Sequence, residues 1–413
     1  MERKLSKKSI VKSRLIAFLV ILALLLNFGT VGVFANTNSI YWTNAQQTHN
    51  FTVGNLLTPS NSYRSAVGAS ITTEWYNVSQ IYADSSMIRY GDSRYLPFMN
   101  NTFAFMSKMW DVNSTIGGYF AQSNADGTGA AGDKFVDDNA LAGNAYLDAY
   151  EVTTGTDKTN YLNSAQKCAN WLMNCGLWDN TFNGGFWWTT NKTDAVSQVK
   201  ATEVNALACQ LFVRLYIITG SVYYKQWADS VRTWLYNNLY DSSKNLFDWQ
   251  YEKSSGTINK AIFTYDNAMM IEVNLLYYQL TSDTTYLVAS QSIANAMINP
   301  NNNIWYTPDI TSGVFLINTN DLTINPCYSG WASQSLIKLY QVDGNTKWLD
   351  YAQKNIDYIN KSPIINTSNK GYYWKWDPVN KTFPSGQSPD SQSLTEVSQA
   401  WMQKIQTMMA QYR

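Results

Sequence analysis

Apolar and polar positions along the chain repeat with a period near sixty residues. Four segments, Tyr161–Leu172, Tyr224–Leu235, Tyr286–Met297 and Trp348–Ile359, open on an aromatic residue and then place apolar side chains at helical spacing. Their starts lie 63, 62 and 62 residues apart, and Tyr95-Leu96-Pro97 opens a further copy 66 residues before Tyr161. Each of the four is preceded by another helical pattern: Asp138–Tyr150, Val204–Tyr216, Asp266–Tyr278 and Ser329–Tyr340. The turns between them read Thr154-Gly155, Thr219-Gly220, Thr281-Ser282 and Asp343-Gly344. Glycine or a small polar residue after a periodic apolar run is a helix stop.

The first helix of each unit is apolar nearly all round, as Leu207, Leu211, Leu215 and Ile218 illustrate, which predicts burial on most sides. The second carries Lys, Gln, Asp and Ser on one face and is expected at the surface. Inner helix, outer helix, repeated, describes a solenoid or a closed ring. Inner helices are expected near residues 70–89, 137–153, 202–219, 265–280, 328–341 and 393–411. Five outer helices are clear, and residues 38–65 cover the twelfth position. Six pairs close an all-α (α/α)6 toroid, here one domain over 36–413, with the Gly-, Asn- and Ser-rich stretches 121–134 and 362–392 as its loops.

The N-terminus changes the picture of where this ring works. Residues 1–14 carry Arg3, Lys4, Lys7, Lys8, Lys12 and Arg14, an apolar run follows to Phe28, and Val33-Phe34-Ala35 supplies small residues. That order is a secretory signal peptide's, so residues 1–35 are expected to be removed and the domain to be extracellular, free or at the cell surface. The apolar run is short for a membrane anchor. Without residues 1–35, Lys plus Arg falls from 30 to 24 and Asp plus Glu from 30 to 29, a formal charge of −5. Such a surface attracts neither nucleic acid nor anionic membrane. A monomer is expected.

Composition narrows the chemistry. The chain holds 16 Trp and 28 Tyr, rings that suit both a large core and stacking on sugars. Cys168, Cys175, Cys209 and Cys327 are too few for a disulfide scaffold and are expected as free thiols, though one bridge is compatible with the sequence. The one histidine, His49, lies in a polar stretch and is expected at the surface. A Ser-His-Asp device or a His-rich zinc site is therefore excluded, no metal or cofactor is expected, and any chemistry falls to carboxylates.

In a ring of this kind the inner-helix starts surround a central pit. Asp137-Asp138 opens one of them. One acid there is explained by helix capping and the helix dipole; a second adjacent acid in an apolar setting fits a catalytic pair as well as it fits capping. Glu203, Asn205, Tyr265, Asp266 and Trp331 hold equivalent positions in later repeats, and Glu396 opens the sixth inner helix. Aromatic loops recur before them, with Tyr119 after Gly117-Gly118 and Trp187 and Trp188 after Gly184-Gly185. The loops read either as rim packing or as an aromatic lining for pyranose rings.

Val136-Asp137-Asp138-Asn139-Ala140, Gly184-Gly185-Phe186-Trp187-Trp188 and Asn205-Ala206 with Arg214-Leu215-Tyr216 and Thr219-Gly220 resemble glycoside hydrolase family 76, in order and spacing, over roughly residues 80–360. The resemblance implies an (α/α)6 endo-α-1,6-mannanase with a retaining mechanism, Asp137 as nucleophile and Asp138 as acid/base, on a polysaccharide or oligosaccharide. It implies a sugar pit that includes Tyr119, Trp187, Trp188, Asn205, Tyr265, Asp266 and Trp331. Two departures bear on the substrate: Ala140 and Leu141 follow the Asp pair where the family usually has Trp, and Tyr265-Asp266-Asn267-Ala268 replaces the family's Tyr-Asn-Gln-Gly. Another α-linked glycan is the nearest variant of this expectation. The competing readings are a different six-hairpin enzyme, such as an unsaturated glucuronyl hydrolase, and a carbohydrate-binding protein without turnover.

Overall fold

The computed structural model describes residues 35–413; the predicted signal segment, apart from Ala35, lies outside the described residues. Twelve α-helices make up the described fold. The inner six are α2 (Glu74–Arg89), α4 (Val136–Val152), α6 (Thr202–Thr219), α8 (Thr264–Thr281), α10 (Pro326–Asp343) and α12 (Glu396–Met409). The outer six are α1 (Ile40–Asn55), α3 (Leu96–Met106), α5 (Gly155–Asn174), α7 (Val222–Asn238), α9 (Thr284–Met297) and α11 (Thr346–Lys361). Each inner helix packs on the next, and α12 packs back on α2, so the ring is closed. The N-terminal α1 lies against α12 as the sixth outer helix. An open solenoid would leave α2 and α12 apolar on one side; closure buries both.

The turns inside the hairpins follow their sequence. Gly220 and Gly344 take the left-handed conformation after α6 and α10, with φ of 70° at each, and their N–H groups bond back to Tyr216 and Tyr340. The equivalent residue after α8 is Ser282, which adopts φ 58° in the same motif. That conformation is unfavourable for a residue with a Cβ.

Nine short strands lie in the loops that run from outer helices to inner-helix starts. They are β1 (Ile71–Thr73), β2 (Gln122–Asn124), β3 (Val199–Ala201), β4 (Tyr240–Asp241), β5 (Leu246–Phe247), β6 (Gln250–Glu252), β7 (Thr257–Asn259), β8 (Trp305–Asp309) and β9 (Ser312–Phe315). They pair antiparallel as β1-β2, β3-β6-β7, β4-β5 and β8-β9, a rim of small sheets around one mouth of the ring, in which β1-β2 and β3-β6 tie successive loops together.

An amide near the start of five inner helices fixes this rim. Asn139 accepts from the Tyr119 N–H at 2.7 Å and donates to Phe135 O at 2.9 Å and Tyr119 O at 3.3 Å. Asn205 does the same with Phe186 and Ala201, Asn267 with Phe247 and Phe263, and Gln399 with Tyr372 and Thr395. In α2, Asn77 holds the Tyr63 N–H and Thr73 O. In α10 the position is Ser329, which bonds Phe315 O, while Asn355 of α11 accepts from the Phe315 N–H. Each clamp satisfies backbone groups of a buried loop that would otherwise go unpaired.

The inner helices are buried all round, as expected, but not apolar all round. Below the rim, Tyr82, Trp331 and Trp401 meet in the middle of the ring, with Trp331 and Trp401 centroids 4.1 Å apart. Toward the opposite end every inner helix contributes a charge. Arg89 bonds Glu151 at 2.6 Å, Arg214 bonds Glu151 and Asp148 at 3.0 and 2.7 Å, Lys404 bonds Asp148 at 3.2 Å, and Lys338 bonds Glu272 at 2.7 Å. Lys404 is buried with its ammonium 3.6 Å from the Tyr82 ring centroid. Breaking one partner of such a network would strand charge in the interior.

His49 is not at the surface. It is buried on α1, edge-on to Tyr95 and Phe98, with Nδ1 3.3 Å from Asp84 Oδ1. The helix places His49 on the same face as buried Trp42 and Ala45, and the polar residues between them hid that face in the sequence. The four cysteines are free thiols.

Candidate active site

The first turns of the inner helices bring acids to one mouth of the ring. Glu74 opens α2, Asp137 and Asp138 open α4, Glu203 opens α6, Asp266 opens α8 and Glu396 opens α12. None of the six is in an ion pair among the described residues. Capping does not explain the pair on α4: the N-cap position is Phe135, and no side chain caps the helix. The dipole and nearby backbone N–H groups still favour an anion at Asp137, but neither acid occupies the cap position.

Asp137 and Asp138 are both half-buried, and their surroundings differ. Asp137 Oδ2 accepts from Trp188 Nε1 at 2.9 Å, while Oδ1 has no donor. Burial pushes the Asp137 carboxyl up to about 6, and the Trp188 N–H and nearby backbone N–H groups hold it back from rising further. Asp138 has no such donor; burial and then the Asp137 charge push it well above the carboxylate range. The surroundings thus favour the anion at Asp137 more than at Asp138. Glu74 is fully buried with neither oxygen paired, and burial, then Asp138 and Asp137, hold it protonated. Glu203 is pushed up to about 7 by burial and by the Asp137 charge. Asp266, fully buried beside Glu203, is raised by burial first and by Glu203 second.

Aromatic rings complete the mouth. Tyr265 lies 4.7 Å from Tyr328, Tyr328 lies near-parallel to Trp75 at 6.5 Å, and Trp374 meets Tyr328 edge-on at 6.0 Å. Trp188 packs on Phe135 at 4.9 Å. Acids therefore dominate the starts of α4, α6 and α8, and rings those of α2 and α10.

The structure divides the sequence-predicted residues. Asp137, Asp138, Trp188, Tyr265 and Asp266 come together at the mouth. The others do not. Tyr119 is buried behind α4, its hydroxyl accepting from Tyr146 at 2.8 Å. Trp187 points into the loop, donating to Asp179 at 2.8 Å with Lys200 over its ring. These two rings alternate inward and outward along a short extended segment, so adjacent Trp187 and Trp188 face opposite ways. Asn205 is a backbone clamp with its donors and acceptor used. Trp331 is 3% exposed against Trp401, one helical turn below the mouth. Trp75, Tyr328 and Glu74 were missed. Aligning the repeats on the clamp, Asn77, Asn139, Asn205, Asn267, Ser329 and Gln399, would have found two of them, because Trp75 and Tyr328 occupy the positions of Asp137 and Asp138.

Comparison with known proteins agrees with this fold. A sequence search of curated proteins gives no match. Among solved structures, an α-mannanase of Bacteroides thetaiotaomicron superposes with TM-score 0.76 at 22% identity, over 91% of this chain and 96% of that one. An inactive α-1,6-mannanase variant of Salegentibacter sp. HEL1_6, with two consecutive aspartates changed to asparagine and α-1,6-mannotriose bound, superposes with TM-score 0.68 at 19% identity, over 90% and 98%. A cellobiose 2-epimerase of Bacillus thermoamylovorans shares the fold at TM-score 0.67 and 13% identity, over 88% and 99%. The family model for glycosyl hydrolase family 76 matches residues 31–313. With an unpaired acid pair at the mouth of an (α/α)6 ring and this match over most of its length, the chain belongs to glycosyl hydrolase family 76 and is a glycoside hydrolase.

Proposed function

We propose that this enzyme cleaves α-1,6-linked mannan, or a closely related α-linked glycan, by double displacement at Asp137 and Asp138. The observation that carries the reading is the split environment of the pair. Trp188 gives a donor to Asp137 alone, so Asp137 is the anion and Asp138 keeps its proton. The Asp137 carboxylate attacks the anomeric carbon while the bond to the leaving oxygen breaks and Asp138 donates its proton to that oxygen. Asp138, now a carboxylate, takes a proton from water. The water oxygen then attacks the anomeric carbon and frees Asp137. Glu74, neutral beside Asp138, leaves this exchange without a competing charge.

The mannan assignment is supported by the Salegentibacter variants in which two consecutive aspartates are replaced and which are described as inactive and bound to α-1,6-mannotriose or α-1,6-mannotetraose. Among the described residues no lysine, arginine or histidine pairs with the acids at the mouth, so a uronate carboxylate would meet negative charge there, which disfavours a glucuronyl substrate. The basic-apolar-small order of residues 1–35 supports export, with the ring of 36–413 acting outside the cell as a monomer.

The test is product analysis on unbranched α-1,6-mannan, following the anomeric proton signal during the reaction, with wild type and Asp137→Asn. Mannooligosaccharides released first as the α-anomer by wild type alone are expected. A β-anomer as first product would refute double displacement, and no product from the wild type would refute the substrate.

A further inference from the structure

We propose that the outer wall of the ring carries a second glycan site, a groove along α11 that binds an acidic polysaccharide chain through its anionic groups and its sugar faces. The groove lies outside the catalytic pit, and the proposal does not depend on the mannan reading. Its volume is about 1200 Å³. It is lined at intervals from Asn345 to Pro363, along the whole of α11, with the β8–β9 turn at Asp309–Ser312 and the loop at Trp376–Lys381 as its walls. A helix of 16 residues is about 24 Å long, room for several sugar units in a row.

The α11 sequence sets two kinds of contact on this face. Lys347, Lys354 and Lys361 are seven residues apart, and so are Tyr351 and Tyr358. Seven residues are close to two turns, so each set runs along one side of the helix, rooted about 10 Å apart. Both tyrosines are half-buried and line the groove, and Lys381 joins from the facing loop. The repeat does not require this stripe. At the position of Lys361 the preceding repeats have Asn174, Asn237 and Asn299.

Charge decides the ligand. None of the four lysines is in an ion pair among the described residues. Lys347 and Lys354 donate to uncharged oxygens, Asn295 Oδ1 at 2.7 Å and Ile310 O at 3.3 Å, and each ammonium has further N–H groups to give. The three acids of the groove already have partners. Asp309 accepts from the N–H and hydroxyl groups of Thr311 and Ser312. Asp350 pairs with Arg413 at 2.7 Å, and Asp357 accepts from the Tyr41 hydroxyl at 2.7 Å. With Arg413 the groove carries five positive and three negative groups, on a domain whose formal charge is −5. An apolar ligand would cover these ammonium groups unpaired. Phosphate or carboxylate groups spaced along a sugar chain pair with them, while the pyranose faces lie on Tyr351 and Tyr358.

Affinity electrophoresis in native gels tests this on the full chain, with a Lys354→Gln/Lys361→Gln double variant and Tyr358→Ala. The gels contain a phosphate-bearing mannan, polygalacturonate or unsubstituted α-1,6-mannan. Retardation of the wild type by at least one acidic glycan is expected, and which one distinguishes phosphate from carboxylate. The double substitution is expected to raise that Kd about tenfold, and Tyr358→Ala to raise it several-fold. Retardation by unsubstituted mannan and kcat/KM on mannotetraose report on the pit and are expected to be equal in wild type and variants. A wild type that ignores unsubstituted mannan and mannotetraose would refute the substrate reading, with the acidic gels still judging the groove. No retardation by either acidic glycan, or equal retardation of the wild type and of variants with its melting temperature, would overturn the proposal. A wild-type dimer in solution that the double substitution dissolves would also overturn it, in favour of a second copy of the chain in the groove.

Discussion

Replacing Trp188 with Phe isolates the one hydrogen bond that distinguishes Asp137 from Asp138. Phe keeps an aromatic ring against Phe135 and removes only the indole N–H, which lies 2.9 Å from Asp137 Oδ2. A hydrogen bond to a charged group contributes roughly 1.5–3 kcal/mol, and one pKa unit is about 1.4 kcal/mol, so its loss should raise the Asp137 carboxyl by about one to two units. The wild-type carboxyl sits at about 6. The anion is the attacking form and the donor stabilises the anion, so the acid limb of kcat/KM must move to higher pH. At pH 6 the ionised fraction falls from about one half to between roughly 1% and 10%, a loss of about 5- to 50-fold in kcat/KM. At pH 8 the difference should shrink to about twofold or less. The assay is kcat/KM against pH on mannooligosaccharides, with melting temperature as the check on folding. A uniform loss at every pH, or an acid limb that does not move in a folded variant, would refute the assignment of Asp137 as the group whose charge Trp188 stabilises.

Other outcomes follow from the same structure. Asp137 is raised in the fold above its ordinary 3.8. Its protonated form is therefore favoured by folding, and the stability it contributes is full below pH 3.8 and lost as pH rises through about 6. Asp137→Asn should thus raise the melting free energy by about 1 kcal/mol at pH 7.5, allowing for partial exposure, and by nothing at pH 3.5; equal effects at both pH values in thermal denaturation would contradict this. Asn205→Ala removes a clamp that holds the Phe186 N–H and Ala201 O, and should cost about 2–4 kcal/mol in urea unfolding; a loss under about 0.5 kcal/mol would mean that the rim is not held this way. Ser282→Gly places at φ 58° the residue type that the equivalent turns use at Gly220 and Gly344, and should stabilise by about 1 kcal/mol in the same assay, whereas a destabilised variant would show that the Ser282 side chain has a role the repeat does not predict.

The repeat made most of the fold legible. Helix boundaries at Thr202–Thr219 were read to the residue, and those of the other inner helices to within a few residues, because the repeat spacing and the turn residues recur from hairpin to hairpin. The site was legible only in part. Asp137 and Asp138 stood out by chemistry, and Glu203, Tyr265 and Asp266 by repeat position. Asn205 shared that position and proved to be a clamp. Residues that bind backbone and residues that face the pit sit side by side in the same turn, and about 100° of rotation per residue separates them. His49 and Lys404 gave no sign of burial, since a polar residue in an amphipathic or polar stretch looks the same whether it faces solvent or a partner from the other end of the chain.

The sequence by itself determined the local and periodic features: eleven helices and a place for the twelfth, their hairpin turns, the inner and outer ranks, and an acid pair at one inner-helix start. Those are set by interactions within about sixty residues, and each repeat states them again. Closure of the ring decided the rest. Glu74 and Glu396 open helices more than three hundred residues apart in the sequence, and only packing of α12 on α2 brings those two helices side by side. That same closure gathers charges from six helices into one network and removes solvent from the acids, while the loop that carries Trp188 packs its indole N–H on Asp137 alone and so separates the proton affinities of Asp137 and Asp138. Desolvation and partner choice depend on what surrounds a side chain in space, and only the tertiary structure sets that.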